Sequence, residues 1–148
     1  MADAADQQPS IFTLIIRGDL PGRFVWRDDK VVAFMTIAPL RPGHTLVVPI
    51  EQIDHWTDVP ADLWAHIGVV QQAVGQALME TFRTARIGSL IAGLEVPHCH
   101  IHLVPIDSES QLSFALVDHS PDPADLDAAA AAIRATLRAH GHEAVPED

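Results

Sequence analysis

Three histidines alternate with apolar residues in the segment 96–106, whose sequence is VPHCHIHLVPI. Alternate side chains of a β-strand share one face, so the rings of His98, His100 and His102 should project together. The residues between them should point into apolar packing on the other face. Because neutral imidazole is a nucleophile, a proton acceptor and a metal ligand near neutral pH, this face predicts a reactive site.

Three kinds of chemistry are compatible with this row of histidines. A shared metal is geometrically awkward, because a strand separates His98 and His102 by about 13 Å whereas zinc–nitrogen bonds are about 2.0 to 2.1 Å long. Three neutral rings that only satisfy one another by hydrogen bonding are a structural alternative. Different roles for the three rings fit the spacing better. His100 would attack an electrophile such as phosphorus, and its neighbours would fix its tautomer and stabilise the charge that develops.

The composition limits both the size of the fold and the class of ligand. A chain of 148 residues and 16.1 kDa has room for one domain, and its 48% hydrophobic and 20% charged residues are typical of globular proteins. A net charge of −11 opposes binding to a nucleic acid polymer, so a small phosphorylated ligand would need a local set of donors.

We predict no metal site from the single cysteine, Cys99, and no disulfide. No apolar run approaches about 20 residues and the N-terminus is acidic and polar, so we expect a cytoplasmic protein without a membrane partner.

Hydrophobic periodicity and cap residues predict an α+β fold. Ser10 is a suitable helix N-cap and Gly18 a suitable stop, so a short N-terminal helix should run between them. Apolar residues at helical spacing predict one long helix over 60–83, and an Ala-rich stretch predicts a C-terminal helix over 125–139. Strands before and after one long helix favour a mainly antiparallel sheet of about five strands. The predicted strands cover residues 24–26, 31–34, 45–50, 86–92 and 97–106.

The prediction divides the chain into three segments. Residues 1–9 should form a frayed N-terminus. Residues 10–110 should form the domain that carries the histidines, and residues 111–148 a C-terminal extension with the Ala-rich helix. We expect that helix to be an appendage or a partner surface.

The chain resembles the histidine triad (HIT) family, whose signature, His-x-His-x-His followed by two apolar residues, is written HCHIHLV here. The resemblance extends to IFTLIIRGDLPGRFVWRDDKVVAF and IAPLRPGHTLVVPIEQI, and so spans residues 10–106. It implies a HIT-like α+β domain that pairs into a homodimer, binds a nucleotide-like small molecule and needs no cofactor. It also implies hydrolysis or transfer at the α-phosphate of a nucleotide conjugate.

The resemblance assigns a role to each of four histidines. His100 would be the nucleophile that forms a transient nucleotidyl-histidine, and His102 would contact the phosphate and stabilise developing charge. His98 would help to hold the geometry, and His44 would support His100 through its far ring nitrogen. Activity should decline below roughly pH 6.5, where an unperturbed imidazole becomes protonated.

The resemblance also implies an apolar wall against which the base binds, although its members could equally serve as core. A flat apolar slot can hold a purine without reading it closely, so these residues should give affinity more than selectivity. The wall positions are Ile11, Phe12, Ile15, Phe34 and Ile37.

Several positions depart from the family pattern and bear on the choice of substrate. Thr36 replaces an aspartate that contacts the ribose, and the chain contains no asparagine near the phosphate or elsewhere. Leu94 and Glu95 stand where amide and hydroxyl residues usually position the phosphate or leaving group. Ser10 and Thr13 occupy positions where some bacterial relatives have a zinc-binding Cys-x-x-Cys, so that metal site does not carry over.

Our prediction is a HIT-like hydrolase or nucleotidyl transferase that acts on a phosphoramidate, phosphosulfate or phosphoanhydride bond. The altered substrate contacts leave open an alternative from another class, a non-catalytic nucleotide-binding or dimer-forming interaction module. A metal enzyme is a third hypothesis, which would require a tightly held ion in each chain.

Overall fold

A computed structural model describes residues 7–147, so residues 1–6 of the predicted frayed segment lie outside the described residues. Within the described chain, three α-helices and five β-strands confirm the predicted α+β class. The helices are α1 (Ile11–Arg17), α2 (Ala61–Phe82) and α3 (Pro123–Ala139). The strands are β1 (Phe24–Arg27), β2 (Val31–Met35), β3 (Thr45–Pro49), β4 (Arg86–Leu90) and β5 (Ile101–Ile106).

The short helix α1 begins and ends at the predicted residues. The Ser10 hydroxyl accepts a hydrogen bond from the Thr13 N–H at 3.0 Å, which satisfies one of the helix's unpaired donors. Gly18 ends the helix in the left-handed conformation, with φ at 88°, and its N–H donates to the Ile15 carbonyl. Phe12 then packs α1 against one face of the sheet.

The five strands form one antiparallel sheet in the order β1-β2-β3-β5-β4. In this sheet His102 of β5 pairs with Leu46 of β3 on one side and with Leu90 of β4 on the other. The neighbouring pair, Val47 and Ile101, faces the opposite side and joins the main core. Strand alternation therefore separates a histidine-bearing face from a purely apolar face.

Helices α2 and α3 cover the apolar face. The expectation that α3 is an appendage is wrong, because Ile133 and Leu137 have no exposed surface and lie in the same core cluster as the α2 side chains. The division of the chain at residue 110 stays a prediction. None of the helices in residues 7–147 is both long and apolar enough to span a bilayer. The buried side chains of α2 are Ile67, Val70, Ala73, Val74, Ala77 and Leu78.

A tight turn at Gly43 places His44 at the start of β3. Gly43 has φ at 89°, and a Cβ there would lie 2.7 Å from the Phe82 ring and 2.9 Å from Pro105. Both the left-handed conformation and the close approach therefore require glycine. The His44 N–H donates to the Arg41 carbonyl at 3.2 Å and closes the turn.

Strand β5 begins later than predicted, at Ile101 instead of residue 97. Before it, the His98 N–H donates to the Val96 carbonyl at 2.8 Å and the Cys99 N–H donates to the Ile53 carbonyl at 2.6 Å. These bonds to loop residues replace the sheet ladder. Two of the three alternating histidines, His98 and His100, consequently lie in an irregular segment outside the sheet.

Candidate active site

Four histidines converge on the sheet face that α1 covers. His102 lies on β5, His98 and His100 lie in the segment before it, and His44 precedes β3. The ring centroids of His100 and His102 are 4.9 Å apart, and those of His44 and His102 are 5.2 Å apart. The structure thus brings together every histidine that the sequence assigned to the site.

A backbone carbonyl determines which nitrogen of His100 carries the proton. Nδ1 of His100 lies 2.8 Å from the carbonyl oxygen of His98. A carbonyl oxygen can only accept, so Nδ1 carries the proton and donates it. In a neutral imidazole the second nitrogen is then an acceptor, and Nε2 of His100 presents a lone pair.

The opposite arrangement holds at His102 because of His44. The Leu40 N–H donates to Nδ1 of His44 at 3.0 Å, so the proton of the neutral His44 ring lies on Nε2. Nε2 of His44 is 2.9 Å from Nδ1 of His102 and donates to it. His102 must then carry its own proton on Nε2. The predicted support of His100 by His44 is wrong, since His44 bonds to His102 and the carbonyl of His98 holds His100.

Two adjacent rings therefore offer complementary groups to a ligand. Nε2 of His100 carries a lone pair, whereas Nε2 of His102 carries a proton that it can donate. Neither nitrogen has a hydrogen-bond partner within residues 7–147. Since no fully buried side-chain nitrogen or oxygen in those residues lacks a partner, both nitrogens reach solvent. A lone pair next to a donor is suited to attack on phosphorus while a phosphoryl oxygen is held.

Burial keeps these rings neutral at physiological pH. Burial, followed by the repulsion of His102 and His100, lowers the pKa of His44 to about 3. Burial and the neighbouring His100 lower the pKa of His102 to about 4. The pKa of His100 is also lowered by burial, although its bond to the His98 carbonyl and the charge of Glu95 oppose that shift. The predicted acid limit near pH 6.5 therefore applies to an unburied ring, and we expect the limit of this site at lower pH.

His98 is enclosed completely and bonded at both ring nitrogens. Its Nε2 lies 2.7 Å from the Pro49 carbonyl, and its Nδ1 lies 2.7 Å from the Ser10 hydroxyl. Thr13 and Gln52 complete the surroundings, because the Thr13 hydroxyl and the Ser10 N–H both donate to Oε1 of Gln52, at 2.9 and 2.8 Å. The sequence indicated Ser10 as a helix cap and as the position of a cysteine in some bacterial relatives, but nothing in the pattern places it beside a residue 88 positions away.

The predicted apolar wall separates into buried and accessible members. Phe12 and Phe34 are buried and pack edge to face at 5.5 Å, and Phe12 also contacts the His100 ring at 4.8 Å. Ile15 is half-buried against the same cluster. Ile11 and Ile37 are 46% and 69% exposed, so they can contact a ligand directly.

Thr36, Leu94 and Glu95, which depart from the family pattern at the expected substrate contacts, lie in different surroundings. The Thr36 hydroxyl accepts a bond from the Ala38 N–H at 3.1 Å and so caps its own turn. Leu94 is 94% exposed. Glu95 is exposed as well, but it is close enough to His100 for its charge to raise the pKa of that ring.

Phe114 is a site residue that sequence analysis missed. It lies in the short 3-10 helix Phe114–Leu116, is 47% exposed, and packs edge to face on the His102 ring at 5.1 Å. Its only sequence signal is an aromatic residue 12 positions after His102, in the predicted C-terminal extension. The segment beyond residue 110 therefore contributes to the rim of the site.

Comparison with known proteins identifies the family. The HIT domain profile matches residues 17–109, a stretch that contains all four site histidines. The chain belongs to the HIT family. Ser10 and Phe12 lie before the matched stretch and Phe114 lies after it.

Individual HIT relatives agree with this assignment. A HIT-like protein of Methanocaldococcus jannaschii is 34% identical over 99 residues, which cover 64% of this chain and 77% of the relative. The protein hit of Bacillus subtilis is 34% identical over 103 residues, 64% of this chain and 69% of its own length. A zinc-bound histidine triad family protein of Mycobacterium smegmatis superposes with a TM-score of 0.76 at 26% identity, covering 93% of this chain and 97% of that one. The HIT-like fold predicted from the sequence is thereby confirmed.

The zinc of the mycobacterial HIT relative raises the question of whether this chain could hold the same ion. At the two positions where the family resemblance implies cysteines in some bacterial relatives, Ser10 and Thr13 supply hydroxyls that bond to His98 and Gln52. Zinc prefers thiolate and imidazole ligands, so one imidazole nitrogen among hydroxyls and an amide does not fit it. Within residues 7–147 no group of three or more His, Cys, Asp or Glu is placed to hold a metal ion.

We predict that His44 makes the HIT domain less stable in acid. The unfolded chain binds a proton at this ring below about pH 6.5, whereas the folded ring stays neutral down to a pKa of about 3, so the free energy of unfolding rises with pH across that window. His44→Gln should lower the slope of that free energy between pH 4 and pH 6, in urea unfolding, by about 1.4 kcal/mol per pH unit. His55→Gln, whose side chain is 73% exposed, is the control and should leave the slope unchanged. Equal slopes for the wild type and His44→Gln would contradict the buried, neutral role of His44.

Proposed function

We propose that this HIT protein hydrolyses or transfers a nucleotidyl group by attack of His100 on the α-phosphorus of a nucleotide conjugate. The observation that carries the proposal is the pair of opposed tautomers, with a lone pair on Nε2 of His100 beside an N–H on Nε2 of His102. A hypothetical histidine triad nucleotide-binding protein of Sulfolobus tokodaii, 21% identical with a TM-score of 0.75, is consistent with a nucleotide ligand.

In the first step, Nε2 of His100 forms a bond to the α-phosphorus and the bond from phosphorus to the leaving group breaks. The leaving group departs with the bonding electron pair, and an amine leaving group takes a proton from water. The His100 ring becomes cationic, and its Nδ1–H bond to the His98 carbonyl stabilises that charge. The Nε2–H of His102 donates to a phosphoryl oxygen on which negative charge accumulates.

In the second step, an acceptor oxygen attacks the phosphorus and the phosphorus–nitrogen bond breaks. With water as the acceptor, the products are the nucleoside monophosphate and a proton, and the neutral His100 ring is restored. With another phosphate or hydroxyl as the acceptor, the same step is nucleotidyl transfer. Because both steps use one nucleophile and one donor, no organic cofactor is required.

The surroundings of the histidines support a nucleotide with an apolar contact on either side of the phosphate. Phe12 and the accessible Ile11 lie on α1 at one side, where a base can pack. Phe114 and Glu95 lie at the rim near His102 and His100, where a leaving group would emerge. A phosphoramidate with a cationic or hydrogen-bond-donating amine therefore suits this side better than an anionic leaving group.

The proposal predicts a covalent adduct on one histidine. After incubation with adenosine phosphoramidate labelled at the α-phosphate and rapid quenching, we expect acid-labile label on His100. His100→Ala should reduce labelling and turnover by at least about 10³-fold, because it removes the attacking atom. His140→Ala, on the far side of the molecule where it bonds to Glu80, should label like the wild type.

Two outcomes of this trapping experiment would contradict the proposal. Label on another residue would exclude His100 as the nucleophile. Tight binding without adduct or turnover across a panel of phosphoramidates, phosphosulfates and dinucleoside polyphosphates would favour the non-catalytic binding module instead.

We also predict a role for Glu95 in the pH dependence of this reaction. Its negative charge stabilises the cationic ring of His100, so Glu95→Gln should lower the pKa of His100 and move the acid limit of kcat/KM to lower pH. Loss of that charge should reduce kcat by about 1.5- to 5-fold, as for an exposed charge pair, and the effect should shrink in high salt. Glu143→Gln removes the same charge from an exposed site and should change neither quantity. An acid limit that does not move in Glu95→Gln would remove Glu95 from the reaction.

We further propose that the chain forms a homodimer through the open edge of β4. At the other edge of the sheet, the Arg27 N–H of β1 donates to the Ala144 carbonyl at 2.8 Å, whereas β4 has a single neighbouring strand within residues 7–147. A cavity of about 460 Å³ opens between α2 and β4, and the α2 residue Val69, next in sequence to the lining residue Gly68, is 60% exposed. Sedimentation equilibrium should give twice the 16.1 kDa chain mass, and a mass of one chain at micromolar concentration would contradict the dimer.

A further inference from the structure

The ring of His98 is fixed in space although it does not face the ligand. It has no exposed surface, and both of its nitrogens have partners at 2.7 Å. Because the Pro49 carbonyl accepts from Nε2, the proton of the neutral ring lies on Nε2 and Nδ1 is an acceptor. The Ser10 hydroxyl must therefore donate to Nδ1.

Ser10 uses both functions of its hydroxyl at once. The oxygen accepts from the Thr13 N–H at 3.0 Å and so caps α1, while the single hydroxyl proton goes to His98. Thr13 lies 3.3 Å from the Ser10 hydroxyl, but the shorter contact of 2.7 Å to His98 takes the proton. Gln52 holds Ser10 from the other side through the Ser10 N–H. Ser10 is 5% exposed, and its hydroxyl already has a donor and an acceptor within the protein.

The position of His98 decides the orientation of the nucleophile. The carbonyl of His98 is the acceptor for Nδ1 of His100, so a rotation of the His98 peptide turns or releases the His100 ring. His98 precedes β5, and no sheet ladder holds this peptide. Backbone bonds of His98 to Val96 and of Cys99 to Ile53 hold the peptide on the loop side. The two ring bonds of His98, to Pro49 of β3 and to Ser10 before α1, hold it on the side of the sheet and of α1.

We propose that Ser10 is a positioning residue for the attack of His100, acting through His98. The chain of contacts runs from the Ser10 hydroxyl to the His98 ring, and from the His98 carbonyl to Nδ1 of His100. This inference rests on the proposed role of His100 as the nucleophile. It adds a residue before the matched HIT stretch to the machinery of the reaction.

Three substitutions separate positioning from capping. Ser10→Ala and Ser10→Gly both remove the donor to His98, but glycine is a much better N-cap than alanine, so the melting temperature should fall more for alanine. Ser10→Thr keeps the hydroxyl and the cap. If Ser10 positions His100, kcat should fall about 10- to 100-fold and to the same extent in the alanine and glycine variants, with KM unchanged, and threonine should restore it.

A second helix cap provides the matched control. Asp122 caps α3 through the Ala124 N–H at 2.9 Å, on the other side of the sheet from the histidines. Asp122→Ala should lower the melting temperature without changing kcat. If the kcat of the Ser10 variants instead follows their melting temperatures, or stays at the wild-type value, Ser10 does not position His100.

A spectroscopic readout keeps this test separate from the proposed reaction. In the ring ¹⁵N spectrum at neutral pH, His98 should show a protonated Nε2 and an unprotonated, hydrogen-bonded Nδ1. In Ser10→Gly the Nδ1 resonance should move to the position of an unbonded lone pair, and in Ser10→Thr it should not. If the Nδ1 resonance of His98 is unchanged in Ser10→Gly, the inference is overturned, whether or not the wild-type protein turns over substrate. Absence of turnover in the wild type with this spectrum intact would instead contradict the proposed reaction.

Discussion

A neutral imidazole has one donor nitrogen and one acceptor nitrogen, and this constraint organises the whole site. Each ring in the cluster meets a backbone group of fixed polarity, either directly or through one neighbour. The carbonyl of His98 accepts from Nδ1 of His100, so Nε2 of His100 carries a lone pair. The Leu40 N–H donates to His44, which in turn donates to Nδ1 of His102, so Nε2 of His102 carries a proton. Burial maintains the arrangement, because it holds the rings in the neutral form in which the rule applies.

The fold serves this site by bringing together backbone groups from distant parts of the chain. The turn at Gly43 places the Leu40 N–H and the ring of His44 next to each other at the start of β3. The loop before β5 delivers the carbonyl of His98. The antiparallel pairing of β3 with β5 sets these two segments side by side, and α2 and α3 cover the opposite face so that the histidine face can stay open to a ligand.

Features with a local signal could be predicted from the sequence. The alternation of His98, His100 and His102 predicted their clustering, although only His102 lies in a strand. The cap residues predicted both ends of α1, and helical spacing predicted α2 to within a residue or two at each end. These signals are strong because they depend on strand and helix periods, which a short window of sequence displays.

Features that depend on contacts between distant segments could not be predicted in this way. The partner of His44, the second bond of Ser10 and the approach of Phe114 to His102 join residues that no periodicity relates. The docking of α3 was missed for a different reason, because its Ala-rich sequence is only weakly hydrophobic overall and its buried face contains few large side chains, among them Leu126, Ile133 and Leu137.

The protonation pattern of His100 and His102 is the most direct measurement of the central claim. In a ¹⁵N-labelled, ligand-free protein at neutral pH, long-range ¹H–¹⁵N correlation spectra report which nitrogen of each ring carries the proton. We expect Nε2 of His100 to be unprotonated and Nε2 of His102 to be protonated. The same tautomer on both rings, or a cationic His100, would contradict the opposed pair of nitrogens on which the proposed attack depends.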